Sequence, residues 1–181
     1  MANFKGDELY IHGSGLKTGI LLTNLGTPDE PTPPSLRTYL RQFLSDGRVI
    51  ETPKAIWWFI LNGIVLRTRP SKSAKAYQSV WTDDGSPLLL YTQKQKNLIK
   101  KQLEKKYPNL IFDIGMRYGN PSIAEGLNNL RNQNCDRIIV LPLYPQYCAA
   151  TTGSTFDAVA LELQQWRWVP SLRFIGSYYD Q

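Results

Sequence analysis

Histidine and cysteine are scarce in this sequence. One histidine, His12, and two cysteines, Cys135 and Cys148, stand among 181 residues. Two cysteines make neither a disulfide framework nor a zinc ligand set. Their scarcity suits a reducing, cytoplasmic compartment. A lone histidine near the N-terminus offers no paired metal ligands. Acid is short relative to base, with 15 Asp and Glu against 21 Lys and Arg. The bases are scattered. Adjacent pairs such as Lys100 with Lys101 and Lys105 with Lys106 read as a solvated helix face, and no nucleic-acid motif is present, so no nucleic-acid partner is expected. No apolar run reaches the roughly 20 residues that span a bilayer. MANFKGDELYIHGSG lacks the apolar core of a secretory signal and reads as a tail. Repeats and low-complexity segments are missing too. What remains is a globular composition, 42% hydrophobic and 20% charged, in a chain long enough for one domain.

Short apolar runs alternate with helical patterns. GILLTNL, at 19–25, is bounded by Gly and reads as a buried strand. Thr32, Pro33 and Pro34 supply a cap followed by proline in the first turn, predicting a helix through about Leu44. Thr52 and Pro53 repeat the device before KAIWWFILNGIVL. Residues 72–81 and 92–107 read as further helices. IFDIGM, at 111–116, alternates like a strand. Asn120, Pro121 and Ser122 open a helix ending near Gln133. DRIIVLPLY reads as the third strand, Ser154 or Thr155 as the cap of a helix to about Gln165, and LRFIGS as the fourth strand. This alternation predicts an α/β fold, a doubly wound three-layer parallel sheet. Such sheets bind ligands beyond the carboxyl ends of their strands. Three of those ends are residues 24–28, 117–121 and 141–155. The last, LPLYPQYCAATTGST, carries more donors and acceptors than a turn needs and reads as one wall of a cleft.

GILLTNLGTP, FLSDGRV, RTRP with Tyr77 eight residues past Arg69, GSPL at 85–88, RYGNPS at 117–122 and LYPQY…TTGST occur in that order. Together they resemble the N-terminal half of ferrochelatases, the family that inserts ferrous iron into protoporphyrin IX to make protohaem. The resemblance covers residues 18–181, after a tail at 1–17. It implies one chelatase-like, Rossmann-like half-domain of a two-part enzyme with porphyrin held between the halves. The family's catalytic histidine, in a Ser-Ala-His-Ser-like segment, and its acidic partner belong to the second half, beyond Gln181. No catalytic or metal-ligating residue is therefore expected here, and the isolated chain is expected to bind porphyrin weakly without inserting metal. His12 matches nothing in the catalytic pattern and is expected to be exposed and uninvolved. Some family members hold an iron–sulfur cluster through a cysteine in the YPQY loop. Here Cys148 stands one position earlier and Ala149 occupies the ligand's place, so no cluster is expected; iron enters as substrate. Leu25 stands where some bacterial members have a tyrosine able to approach the metal axially.

The resemblance also implies substrate contacts. Arg117 and Tyr118 follow a strand, and the guanidinium is either a propionate partner or a structural group bonding loop carbonyls. Arg69 precedes a proline, so extended backbone is expected there, with a propionate or plain solvent as its neighbour. Tyr77 is read as a porphyrin contact on a helix. Ser86 bonds a propionate or its own turn. Tyr144 and Gln146 belong to the cleft wall, and Tyr179 lies at another strand end.

The run 56–66 reads as a hydrophobic lip in preference to a buried helix. Trp57, Trp58, Phe59, Ile60 and Leu61 would rest in the membrane interface with Arg67 and Arg69 near lipid phosphates. The expected location is then cytoplasmic and peripheral at the inner membrane face. The alternative is a free-standing porphyrin- or haem-binding module without catalysis.

Overall fold

A computed structural model describes residues 4–6 and 17–181; His12 lies outside the described residues. Four strands form one sheet: β1 (Lys17–Thr27), β2 (Leu110–Gly119), β3 (Cys135–Pro142) and β4 (Ser171–Phe174). Their order is β2-β1-β3-β4, and every pairing is parallel. Parallel neighbours need a crossover, and the helices supply it. They are α1 (Pro33–Leu44), α2 (Lys54–Ile60), α3 (Leu66–Gln78), α4 (Pro87–Leu103), α5 (Ile123–Asn132) and α6 (Ser154–Leu163).

Alternation along β1 explains the layers. Leu21 turns to one face, where it joins Leu127 and Leu130 of α5 and Val159 of α6. Asn24, on the opposite parity, turns to the other, and its Nδ2 donates to Thr92 Oγ1 of α4 at 3.1 Å. A second apolar cluster joins Leu36 and Tyr39 of α1 to Ala74 of α3 and Tyr118 of β2. The expected three-layer α/β sheet is thus what forms.

Several local expectations need correction. The helix expected at 72–81 begins at Leu66, so Arg69 is helical, not extended. A π-helical segment, Leu61–Val65, precedes it and joins α2 to α3. The Thr68 hydroxyl of α3 donates back to the Ile64 carbonyl of that segment, and Pro70 sits inside α3 without ending it. The helix expected at 92–107 starts at Pro87, one residue after Ser86 as N-cap. This is the same cap-then-proline device read correctly at Thr32. Neither Ser154 nor Thr155 caps α6: a second π-helical turn, Ala149–Gly153, leads into it, and both residues are buried. Ser122 does cap α5, with Glu125 returning the bond to form a capping box.

The N-terminal stretch read as a tail contacts the end of α6 where it is described. The Lys5 N–H donates to Gln165 O, the Arg167 N–H donates to Lys5 O, and Lys5 Nζ reaches Glu162 Oε1 at 2.7 Å. Burial pushes the Glu162 carboxyl up, but donation from Lys5, Trp166 and Asn128 outweighs it and holds the group below the usual range.

Candidate functional site

The carboxyl edge is built around one acid. Asp46 follows α1 in the FLSDGRV turn. Its Oδ2 accepts from Arg117 Nη2 and Ser154 Oγ at 2.5 Å each and from the Tyr118 hydroxyl at 2.8 Å, while Oδ1 accepts the Arg48 N–H. Arg117 Nε also donates to Ser154 O at 2.9 Å, and its guanidinium lies 4.5 Å from the Tyr118 ring centre. Two residues on, Arg48 grips Asp157 of α6 with two donors. Burial pushes the Asp46 carboxyl up, yet donation from Ser154, Arg48, Tyr118 and Arg117 outweighs it and leaves it below the usual carboxylate range. The turn after α1, the end of β2 and the start of α6 are therefore tied into one unit.

This network bears on two expected contacts. Tyr118 is only 1% exposed and its hydroxyl donates to Asp46, which places it in the core cluster beneath α1. Arg117 has committed Nε and Nη2 to Ser154 and Asp46; a propionate would have to displace a carboxylate to use them. The carbonyls around Gly119, the partners expected of a structural arginine, are not among these bonds.

Tyr77 and Ser86 do come together. They line a cavity of about 220 Å³ with Gly26, Thr27, Val80 and Trp81. Thr27, Trp81 and Ser86 also border a second cavity of about 370 Å³ that reaches Asp29 and Asn120. Ser86 is buried without a side-chain capping bond, and Thr27 Oγ1 is buried without a partner. Two hydroxyls thus border these cavities with bonding capacity unspent. Tyr39 links the two regions. Its ring packs edgewise on Tyr77 and on Tyr118, and its hydroxyl donates to Gly26 O at 3.3 Å.

Tyr144 is half-buried, and its hydroxyl faces Thr155. Burial pushes this phenol well above its usual range. Gln146 and Tyr179 are exposed. In SYYD it is Tyr178 that docks, with its N–H on Pro145 O and its hydroxyl on Pro142 O. Arg69 is exposed on α3 and forms no ion pair among the described residues. Asp46 and Tyr39 escaped the sequence reading as site residues, while Thr27 and Ser154 lie in strand-end stretches it marked without naming a role for either. Asp46 had a weak signal, as the lone acid of the FLSDGRV motif.

The apolar run forms a ridge. Trp58 and Phe59 are 59% and 70% exposed, and Ile56 and Ile64 are exposed beside them. Two residues expected on the lip turn inward. Leu61 is 3% exposed in a cluster with Leu44 and Leu66, and Trp57 donates Nε1 to Leu44 O at 2.6 Å. Helical periodicity divides the run, so only part of it can face outward. Among the described residues no helix is long and apolar enough to cross a membrane. No group of three or more His, Cys, Asp or Glu able to hold a metal ion occurs among them.

A four-stranded parallel sheet with helices on its faces and cavities at its carboxyl edge defines an α/β domain of the chelatase-like class. Comparison with known proteins narrows this. The Ferrochelatase family model matches residues 17–181. The ferrochelatase of Thioalkalivibrio sulfidiphilus is 52% identical over 178 residues, covering 98% of this chain and 48% of that protein. The ferrochelatase of Hydrogenovibrio crunogenus is 54% identical over 181 residues, with 97% and 48% covered. Ferrochelatase 2 of Shewanella oneidensis is 53% identical over 169 residues, with 93% and 52% covered. The chain belongs to the ferrochelatase family. It spans about half the length of the curated relatives it matches.

Proposed function

We propose that this chain forms the porphyrin-gripping half of a ferrochelatase, which inserts ferrous iron into protoporphyrin IX. The observation that carries the reading is the cavity between Tyr77 and Ser86 at the carboxyl end of β1, with a buried Thr27 hydroxyl unspent beside it. A propionate accepts hydrogen bonds and an aromatic wall suits a flat ring. Arg69, exposed and without an ion pair among the described residues, is the cation available to a second propionate. Metallation removes two pyrrole N–H protons and delivers iron to four nitrogens. A bent macrocycle exposes those lone pairs, and the strain is drawn from binding energy elsewhere on the ligand. This half would supply that grip; the base would come from the part of the family's sequence that this chain does not match.

The test uses fluorescence of a soluble porphyrin with zinc as probe metal. The chain should bind the porphyrin, and Ser86→Ala should weaken binding by about 1 kcal/mol, the size of one hydrogen bond. Zinc insertion should be near background, with the Thioalkalivibrio relative as positive control. Turnover near the control's rate would place the base inside residues 1–181. Binding without insertion even after a relative's second half is supplied would favour the non-catalytic module.

We further infer that the ridge of Ile56, Trp58, Phe59 and Ile64 rests in the membrane interface. Replacing Trp58, Phe59 and Ile64 with Ser should reduce vesicle cosedimentation while leaving the thermal melt intact, because all three are exposed. Unchanged cosedimentation would overturn the assignment.

A further inference from the structure

The turn between α1 and α2 encloses a cavity of about 410 Å³, away from Tyr77 and Ser86. Its lining includes Arg41, Ser45, Thr52, Lys54, Trp58 and Asn62, and no carboxylate. Arg41 and Lys54 are exposed, and neither forms an ion pair among the described residues. Two acids adjoin the lining in sequence: Asp46 is already paired with Arg117, and Glu51 is exposed between Ile50 and Thr52, so Arg41 and Lys54 are the charged side chains that line the cavity itself. Unpaired cations beside two hydroxyls make a site for an oxyanion.

Trp58 decides what kind of oxyanion. It lines this cavity and also belongs to the exposed ridge, stacked edgewise on Phe59 at 5.0 Å between ring centres. The cationic seat and the apolar ridge therefore share a wall. A ligand matched to both has an anionic head and a hydrocarbon tail. We propose that this cavity seats the phosphate of an anionic phospholipid, held between Arg41 and Lys54. Ser45 and Thr52 face its glycerol oxygens, and the acyl chains lie along Trp58 and Phe59. The proposal rests on the membrane reading of the ridge and adds a headgroup preference to it. The volume lies within the roughly 300–1,000 Å³ of small-molecule sites.

The experiment compares vesicles of phosphatidylcholine alone with vesicles that also contain phosphatidylglycerol. Wild type should prefer the second. Arg41→Gln with Lys54→Gln should lose that preference, at least about fivefold more than Lys100→Gln with Lys101→Gln. That control removes the same charge from α4 and corrects for diffuse attraction to an anionic surface. Arg41→Lys with Lys54→Arg should retain the preference. Equal losses in the pocket and control pairs would overturn the seat while leaving the ridge standing. Loss of the preference to inorganic phosphate at constant ionic strength would overturn the lipid assignment in favour of a free-phosphate site. The Trp58, Phe59 and Ile64 variant separates the two ideas. If it binds both vesicle types as wild type does, the membrane reading fails, whatever the pocket pair shows. Near-identical melts of all variants exclude unfolding as the cause.

Discussion

Asp46→Ala should destabilise the protein by about 3–5 kcal/mol, the range for removing one partner of a buried, hydrogen-bonded ion pair. The side chain is 7% exposed and accepts from Arg117, Tyr118, Ser154 and the Arg48 N–H. Its loss leaves a guanidinium and two hydroxyls without their acceptor. Asp46→Asn preserves shape and one acceptor, and should cost less. Because the folded-state pKa of Asp46 is depressed, its contribution is fully present above the unfolded carboxylate value of about 4 and is lost as pH falls through the folded value. Glu162 is depressed as well and adds to the same acid window. Urea midpoints at pH 7 and at stepwise lower pH test this. Asp46→Asn should show a shallower acid slope than wild type. A cost under about 1 kcal/mol at pH 7 for the alanine variant would mean that the turn after α1 is not held by this acid.

Gly26→Ala should abolish the cooperative melt. Gly26 has φ of +106°, and a Cβ there would lie 1.7 Å from Tyr118 O. Gly119 mirrors it across the β1–β2 pair, with φ of +79° and a Cβ that would meet Thr27 O at 2.2 Å. The left-handed backbone costs an L-residue about 1–2 kcal/mol. The larger part is steric, because the obstructing atoms are main-chain carbonyls of the paired strand, not side-chain ends that can swing away. Together these should exceed about 4 kcal/mol, a large part of a domain's stability. Gly63→Ala is the control, since nothing lies within 4 Å of its added Cβ. It should be neutral or stabilising by up to about 1 kcal/mol in a helical run. A Gly26→Ala protein that melts within a few degrees of wild type would refute the account.

The layer order and the carboxyl-edge placement of the site were legible in the sequence, because strands of buried aliphatics alternate with capped helices. Ser122 with Glu125 and Thr32 with Pro33 mark their helices by local chemistry alone. The same grammar at Ser86 and Pro87 was present and passed over, which misplaced the start of α4. Pro70 misled in the other direction, because a proline normally ends a helix and the preceding π-helical segment is not written in residue types. Arg117 shows where sequence reading stops. A guanidinium at a strand end suits a substrate carboxylate or a structural one equally, and the choice depended on Asp46, 71 positions away. Tyr118 shows the same limit: at a strand end, parity does not reveal whether a phenol faces the cleft or the layer beneath α1.

The clasp between Lys5 and Glu162 has a consequence for the order of events as the chain folds. The two residues are 157 positions apart. Closing a loop of that length from an unstructured chain costs on the order of 4–5 kcal/mol in entropy, before any constant for stiffness. One ion pair with two backbone bonds does not offset that alone. Once the sheet has assembled and α6 has docked, most of the search is already over, and the same bonds need only catch a nearby end. The clasp is therefore a late step: it locks a finished layer and does not start one.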